Sequence, residues 1–261
     1  MSAGNTSGPV LEFRDVSYKA PNGQLVLSHL NLQVVRGEML VLLGRSGSGK
    51  TTTLKLVNRL VTPSSGEVRV NDAALASVGS DIYRLRRRIG YVIQEIGLFP
   101  HFTVERNIAL VPTIENWPQE KVRARVQELM QLVGLDPGLS MRYPHQLSGG
   151  QRQRVGVARA LAADPEILLM DEPFGALDPL TRDELQREFL ALQQRLHKTV
   201  LFVTHDLNEA LRLGSRIGLM ESGKLVTLLS PEEFLQSSDP LAAAYVRAFG
   251  SGLPLEGKNS K

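Results

Sequence analysis

The sequence predicts an α/β fold: a parallel-sheet core, with an antiparallel β subdomain ahead of it and a helical subdomain inserted into it. Three observations carry that prediction. Short, unbroken apolar runs end in loops at "MLVLLG" (39–44), "EILLMDEP" (166–173) and "TVLFVTHD" (199–206), the pattern of strands buried on both faces. Between the last two lies an amphipathic stretch of helical length, and strand, helix, strand implies a parallel crossover. Ahead of the first run, apolar and polar residues alternate at period two, as in half-exposed antiparallel strands.

Taken in order, "VLEFRDVSYK" (10–19) and "LSHLNLQVVRGE" (27–38) supply the alternating strands of a small first sheet. The run at 39–44 feeds a glycine loop and then "TTTLKLVNRL", a strand, turn and helix in sequence. "SSGEVRVND" (64–72) reads as a further strand between turns, and "IGYVIQ" (89–94) as another. From about 96 to 155 the character becomes helical. Pro118 suits a first helical turn, Val122, Val126, Leu129 and Val133 share one face, and Gly134 closes the helix. In "PLTRDELQREFLALQQRLHK", Leu185, Phe189, Leu192 and Leu196 again line one face. Past Pro231 the pattern weakens, residues 236–261 read as an extension ending in the frayed tail "SGLPLEGKNSK", and residues 1–9 read as a flexible start.

Composition narrows the function classes. With 261 residues, 42% hydrophobic and 22% charged, the chain has globular composition and no segment near the roughly 18 consecutive apolar residues that cross a bilayer. The start "MSAGNTSGPV" has neither a basic patch nor an apolar stretch, so a cytoplasmic chain without a secretory signal is expected. The absence of cysteine removes disulfide frameworks, thiolate metal sites and cysteine nucleophiles. A formal charge of +3 makes no demand for an acidic partner, and the basic run at 84–88 reads as a solvated face rather than a nucleic-acid site.

The loop "GRSGSGKT", Gly44, Arg45, Ser46, Gly47, Ser48, Gly49, Lys50 and Thr51, with Thr52 after it, fits the phosphate-binding pattern of P-loop NTPases in the context the pattern requires. Its glycines let backbone N–H groups curl around phosphate oxygens at a helix N-terminus. Lys50 sets an ammonium on the terminal phosphates, and Thr51 offers a hydroxyl to magnesium. Asp171 and Glu172 end a core strand, on the side where open α/β sheets bind ligands. Alone they would be solvated strand-end acids; with the loop present, Asp171 is a magnesium ligand and Glu172 is free to polarise an attacking water. His205 ends another core strand and should emerge beside them, whereas His29, His101, His145 and His197 read as structural. Gln94, also at a strand end, is either a contact to magnesium or the water, or an ordinary polar residue.

A second glycine turn, "LSGGQ" (147–151), raises the question of what it holds. The set Gly44 to Thr51, Gln94, Leu147 to Gln151, Asp171 with Glu172, Asp178 and His205 closely resembles the ATP-binding subunits of ABC transporters, over roughly residues 10–250. The resemblance implies an ATPase domain at 10–235, using ATP and Mg2+. It implies two copies packed head to tail, so that Ser148, Gly149, Gly150 and Gln151 of one meet the ATP in the other's phosphate loop, and hydrolysis lets the pair open. Tyr18 resembles the aromatic residue that stacks on adenine; the alternative is a strand tyrosine that packs the small sheet. Asp178 matches the loop that signals between the two sites, although Gly175 stands where the family usually has serine. "EIGLFPHFTVERNIAL" resembles the surface that grips a transmembrane permease subunit, with Leu98, Phe99 and Phe102 as its apolar contacts or as packing within the helical lobe.

"NRLVTPSSGEV" and "YPHQLSGGQRQRVGVARALAADPEILLMDEPFGALDP" are most similar to importers of quaternary amines such as glycine betaine, choline or carnitine. The resemblance implies a peripheral subunit at the cytoplasmic face of the inner membrane, served indirectly by an extracytoplasmic substrate-binding protein. Import of amino acids or another polar solute is the alternative. Many such relatives continue into paired CBS domains that sense ionic strength; the present length does not hold them, so osmotic gating by that route is not expected. ABC ATPases acting on nucleic acid or ribosomes usually carry two cassettes, a coiled-coil insertion or zinc cysteines, none of which occurs here, so no nucleic-acid partner is expected.

Overall fold

The computed structural model describes residues 8–249 apart from 78, 80, 81 and 95. The expected frayed tail at 251–261, and most of the expected flexible start, lie outside the described residues. Strands β1 (Leu11–Lys19) and β2 (Leu25–Val34) pair antiparallel, and β4 (Ser65–Val70) and β5 (Ala73–Ala74) extend the same sheet in the order β2-β1-β4-β5. Between them run β3 (Met39–Leu43) and helix α1 (Lys50–Val57).

The second sheet holds six strands. Its order is β10-β9-β3-β8-β7-β6, with β6 at Ile89–Val92, β7 at Ile167–Asp171, β8 at Thr199–Thr204, β9 at Arg216–Glu221 and β10 at Lys224–Leu229. All neighbours are parallel except the β9–β10 pair. Every residue of β3, β7 and β8 is buried, which is why these strands read as unbroken apolar runs. Their period of two sorts the side chains. Met39, Val41 and Leu43 join a core with the helices, while Leu40 and Leu42 join a second core with α1 and the antiparallel sheet.

Helices α2 (Ile82–Arg87), α3 (Val104–Ile114), α4 (Gln119–Leu132) and α5 (Gly149–Leu161) follow β4 and β5. In α4, Val126, Leu129 and Met130 are buried, Pro118 caps the start, and Gly134 takes φ 65 just beyond the end. Helix α5 runs past residue 155, so the helical stretch is longer than its spacing suggested. The amphipathic segment after β7 becomes α6 (Pro179–Leu196), burying Leu185, Phe189 and Leu192.

The C-terminal part differs from expectation. After α7 (Leu207–Leu213) and the β9–β10 hairpin come α8 (Pro231–Leu235) and α9 (Pro240–Phe249), so ordered structure continues well beyond Pro231. Phe234, Ala242 and Tyr245 are buried in the helix-side core. The packed face of α9 is Leu241, Ala242, Tyr245 and Val246, apolar residues at helical spacing just after Pro240 whose pattern the sequence reading passed over. Among the described residues, no helix is long and apolar enough to cross a membrane.

Candidate active site

The carboxyl ends of β3, β7 and β8 open into one cleft of about 720 Å³. Arg45, Ser46, Gly47, Gly49, Lys50, Thr51 and Thr52 line it with Gln94, Glu172 and His205, joining residues up to 160 positions apart in sequence, from Arg45 to His205. The loop's shape depends on glycine at two positions. Gly49 takes φ 101, and a β-carbon there would lie 2.5 Å from Leu27 Cδ2; a β-carbon on Gly44 would lie 2.7 Å from Ser48 Oγ. Gly49 is also the N-cap of α1 and brings no side chain to its first turn, whose N–H groups stay available to an anion.

Lys50 is buried, and its Nζ donates to the carbonyls of Gly44 (2.8 Å) and Arg45 (2.9 Å), folding the ammonium back over the loop. Burial holds its pKa below the ordinary lysine range, partly offset by the charges of Glu172 and Asp171. Ser48 Oγ is buried without a hydrogen-bond partner, so the loop carries a polar group its own chain leaves unsatisfied. Thr51 Oγ1 donates to Asp171 Oδ1 at 2.8 Å, and Tyr91 Oη lies 3.5 Å from Asp171 Oδ2. Burial raises the pKa of Asp171, against the lowering hydrogen bond from Thr51, and burial likewise raises that of the Tyr91 phenol. These hard oxygen donors beside a phosphate cradle fit a magnesium ion better than a soft metal.

Glu172 sits one residue past β7 with φ 44, a left-handed conformation uncommon for a side chain of this size, and its N–H donates to Val203 O at 3.0 Å. The turn directs the carboxylate at two neighbours. Oε2 lies 3.1 Å from His205 Nδ1 and 3.4 Å from Gln94 Nε2. At Gly175 a β-carbon would meet Glu172 O at 3.5 Å and Oε2 at 3.7 Å, ordinary contacts.

Residues that fix the turns around His205 were missed by sequence reasoning. Thr204 Oγ1 donates to the buried Glu209 at 2.6 Å, and Gln186 Nε2 donates to the other carboxylate oxygen at 2.9 Å. Arg182 donates to the carbonyls of Phe174 (3.2 Å) and Leu177 (3.1 Å) and lies 3.9 Å from Asp206, so one guanidinium ties the turn after β7 to the turn after β8. The available signal was Asp206 followed three residues later by Glu209, a helix-start pattern. Asp206 does cap α7, accepting from Asn208 N at 2.7 Å.

Other expected residues lie elsewhere. Ser148, Gly149, Gly150 and Gln151 do not line the cleft. They open α5 with a capping box, in which Ser148 Oγ accepts from Gln151 N (3.2 Å) and Gln151 Oε1 accepts from Ser148 N (2.9 Å). Asp178 caps α6 by accepting from Thr181 N at 3.1 Å, and that backbone bond holds its carboxyl below the usual range. Tyr18 packs against the core beside the antiparallel sheet and is not among the cleft residues, whereas Val26 of β2 and Leu241, Ala244, Tyr245, Ala248 and Phe249 of α9 are. Leu98 packs on the helix-side core, while Phe99 is exposed and Phe102 stacks near it at 5.2 Å; the buried Asn107 amide holds their loop through both carbonyls. The basic run is partly tethered, since Arg86 donates to the carbonyls of Asn58 and Arg59 at the end of α1.

Residues 27–175 match the model of the ABC transporter family. The chain is 48% identical over 228 residues to the choline transport ATP-binding protein OpuBA of Bacillus subtilis (strain 168), covering 87% of this chain and 59% of that protein. It is 52% identical over 222 residues to the glycine betaine uptake system ATP-binding protein YehX of Escherichia coli (strain K12), covering 85% and 71%. The chain spans between 57% and 60% of the length of several of the curated relatives it matches. Among solved structures, the dimeric post-hydrolysis ATP-binding cassette MJ0796 bound to ADP and Pi superposes with a TM-score of 0.76 at 33% identity, covering 85% of this chain and 98% of that one.

Proposed function

The chain belongs to the ABC transporter family, and from that premise we propose that it binds ATP with magnesium and hydrolyses it at the interface of two copies. The energy drives import of a quaternary-amine osmoprotectant such as glycine betaine, choline or carnitine. In this reading the chain is a peripheral subunit on the cytoplasmic side of the membrane, held by permease subunits and supplied through an extracytoplasmic binding protein. Relatives named for choline, carnitine and glycine betaine transport support the solute class.

One observation carries the catalytic reading: Lys50, Thr51 with Asp171, and Glu172 with His205 and Gln94 converge on a single cleft, while the turn at Ser148 is presented elsewhere. The unsatisfied donors of the loop and of the first turn of α1 receive the phosphates, and Lys50 exchanges its two carbonyl acceptors for terminal phosphate oxygens. Thr51 and Asp171 would hold magnesium, which when bound neutralises phosphate charge and polarises the phosphoryl oxygens. Glu172 orients the attacking water and accepts its proton, and His205 and Gln94 hold the carboxylate at its working angle. The Ser148 hydroxyl, which accepts in the capping box, keeps its own proton free to donate to the other copy's ATP. Dimers of MJ0796 bound to ADP and Pi support the paired arrangement.

The test is Glu172→Gln, which keeps the shape of the side chain and removes the proton acceptor. With ATP and magnesium this variant should run as a dimer on sedimentation and turn over ATP at least about 100-fold more slowly than the parent. A variant that stays monomeric removes the shared-site mechanism. The solute follows from reconstitution with permease subunits and binding protein, where glycine betaine, choline or carnitine should stimulate phosphate release and an amino acid should not.

A further inference from the structure

Leu180 is 85% exposed, more than any other large hydrophobic residue among those described. It stands in the first turn of α6, beside the capping Asp178, on the surface that carries the Ser148 turn. The two features are packed together: a β-carbon on Gly150 would lie 2.8 Å from Thr181 Cγ2, and one on Gly149 would lie 3.4 Å from Leu177 Cδ2. An exposed leucine next to that turn travels wherever the turn goes.

A complementary surface borders the phosphate loop. Leu241, Ala244, Tyr245, Ala248 and Phe249 of α9 form one wall of the cleft mouth, beside Arg45, Ser46 and Gly47. Phe249 is 46% exposed and lies on Tyr245 with ring centroids 5.9 Å apart, while Ala244 and Ala248, one helical turn apart, are also exposed. The exposed Phe249, Ala244 and Ala248, backed by the buried Tyr245, make a shallow apolar notch. The Tyr245 hydroxyl lies against the Arg45 guanidinium, so the notch has a cation at its edge, and the leucine has an anion, Asp178, at its side.

We propose that in the ATP-joined pair Leu180 of each copy seats in the α9 notch of the other, with Asp178 approaching Arg45. The inference rests on the head-to-tail reading above, because that pairing alone carries the Ser148 turn, and Leu180 with it, to the other copy's phosphate loop. Its consequence is that α9 belongs to the dimer interface. Nucleotide occupancy is then sensed by the C-terminal helix through an apolar contact between copies.

The chain has no cysteine, which makes cross-linking between chosen positions clean. In the full chain carrying Glu172→Gln, Leu180→Cys and Ala248→Cys are made in separate copies, mixed with ATP and magnesium, and treated with a short bismaleimide. A covalent dimer is expected from the mixture, dependent on ATP, and absent from either single variant alone. Independently, Leu180→Asp should raise the dimer dissociation constant of the Glu172→Gln protein about 100-fold or more, since each pair loses two buried leucines. Binding of a fluorescent ATP analogue to the monomer should not change. If Glu172→Gln without cysteines forms no dimer, the shared-site reading fails and this inference with it. If it forms the dimer, but the mixed variants do not cross-link and Leu180→Asp dimerises as tightly as its parent, the notch is not the seat of Leu180 and the shared-site reading stands.

Discussion

Helix α1 begins at Gly49 with no side chain over its first turn, whereas α5 begins at Ser148 inside a closed capping box. Both starts are glycine-bearing helix N-termini, and both read from sequence as phosphate receivers. The first leaves donors, a buried Ser48 hydroxyl and a folded-back Lys50 for an outside group to satisfy. The second satisfies itself through Ser148 and Gln151 and stands outside the cleft. An unsatisfied start is built for an outside group; a satisfied one is stable in the single copy, and under the proposed pairing it meets the ATP held by the other.

The largest effect should come from the first start. Lys50→Ala should lower ATP turnover by on the order of 10³-fold in a phosphate-release assay, as removal of a principal charge-stabilising donor does; undiminished turnover would break the comparison at its root. Ser148→Asp sharpens it next. Aspartate caps a helix as well as serine, so the urea midpoint of the single copy should hold, but its charge faces phosphate in the joined pair, and turnover should fall on the order of 100-fold. If turnover survives, the second start does not meet ATP.

Gly49→Ala follows, with a destabilisation of about 2 kcal/mol in urea unfolding from its positive φ and the contact with Leu27; the same change at Gly149, where φ is not positive, should cost less. The smallest effect concerns Glu209, whose support of Thr204 has no counterpart at the Ser148 turn. Burial raises its pKa above the ordinary value of 4.5, so the folded state holds its proton where the unfolded state releases it. Stability therefore falls as pH rises from about the unfolded value through the raised one, and Glu209→Gln should flatten that slope by about 1 kcal/mol or less across the interval.

The parallel strands were legible because β3, β7 and β8 are buried on both faces, and burial writes itself into sequence as unbroken apolar runs. The phosphate loop was legible because Gly44, Gly49, Lys50 and Thr51 must keep fixed spacing within one turn. What stayed hidden depends on distant partners. The edge strand β10 shows mixed exposure, and α9 is a ten-residue helix whose place is set by packing Leu241, Ala242, Tyr245 and Val246 into the core that also holds Phe234. Arg182 reads as one more surface arginine until the carbonyls of Phe174 and Leu177 are seen around it. Tyr91 stayed hidden for the same reason. The unremarked tyrosine of β6 reaches Asp171, and the singled-out one of β1 packs on the core.

The left-handed turn at Glu172 has a bearing on how its chemistry can be probed. Main-chain geometry, anchored by the bond to Val203, aims this acid, so its heading is inherited from the backbone and not chosen by the side chain. An amide of equal length inherits the same heading and strain, which isolates proton acceptance as the altered variable. Glycine would instead release the turn and confound loss of chemistry with loss of aim.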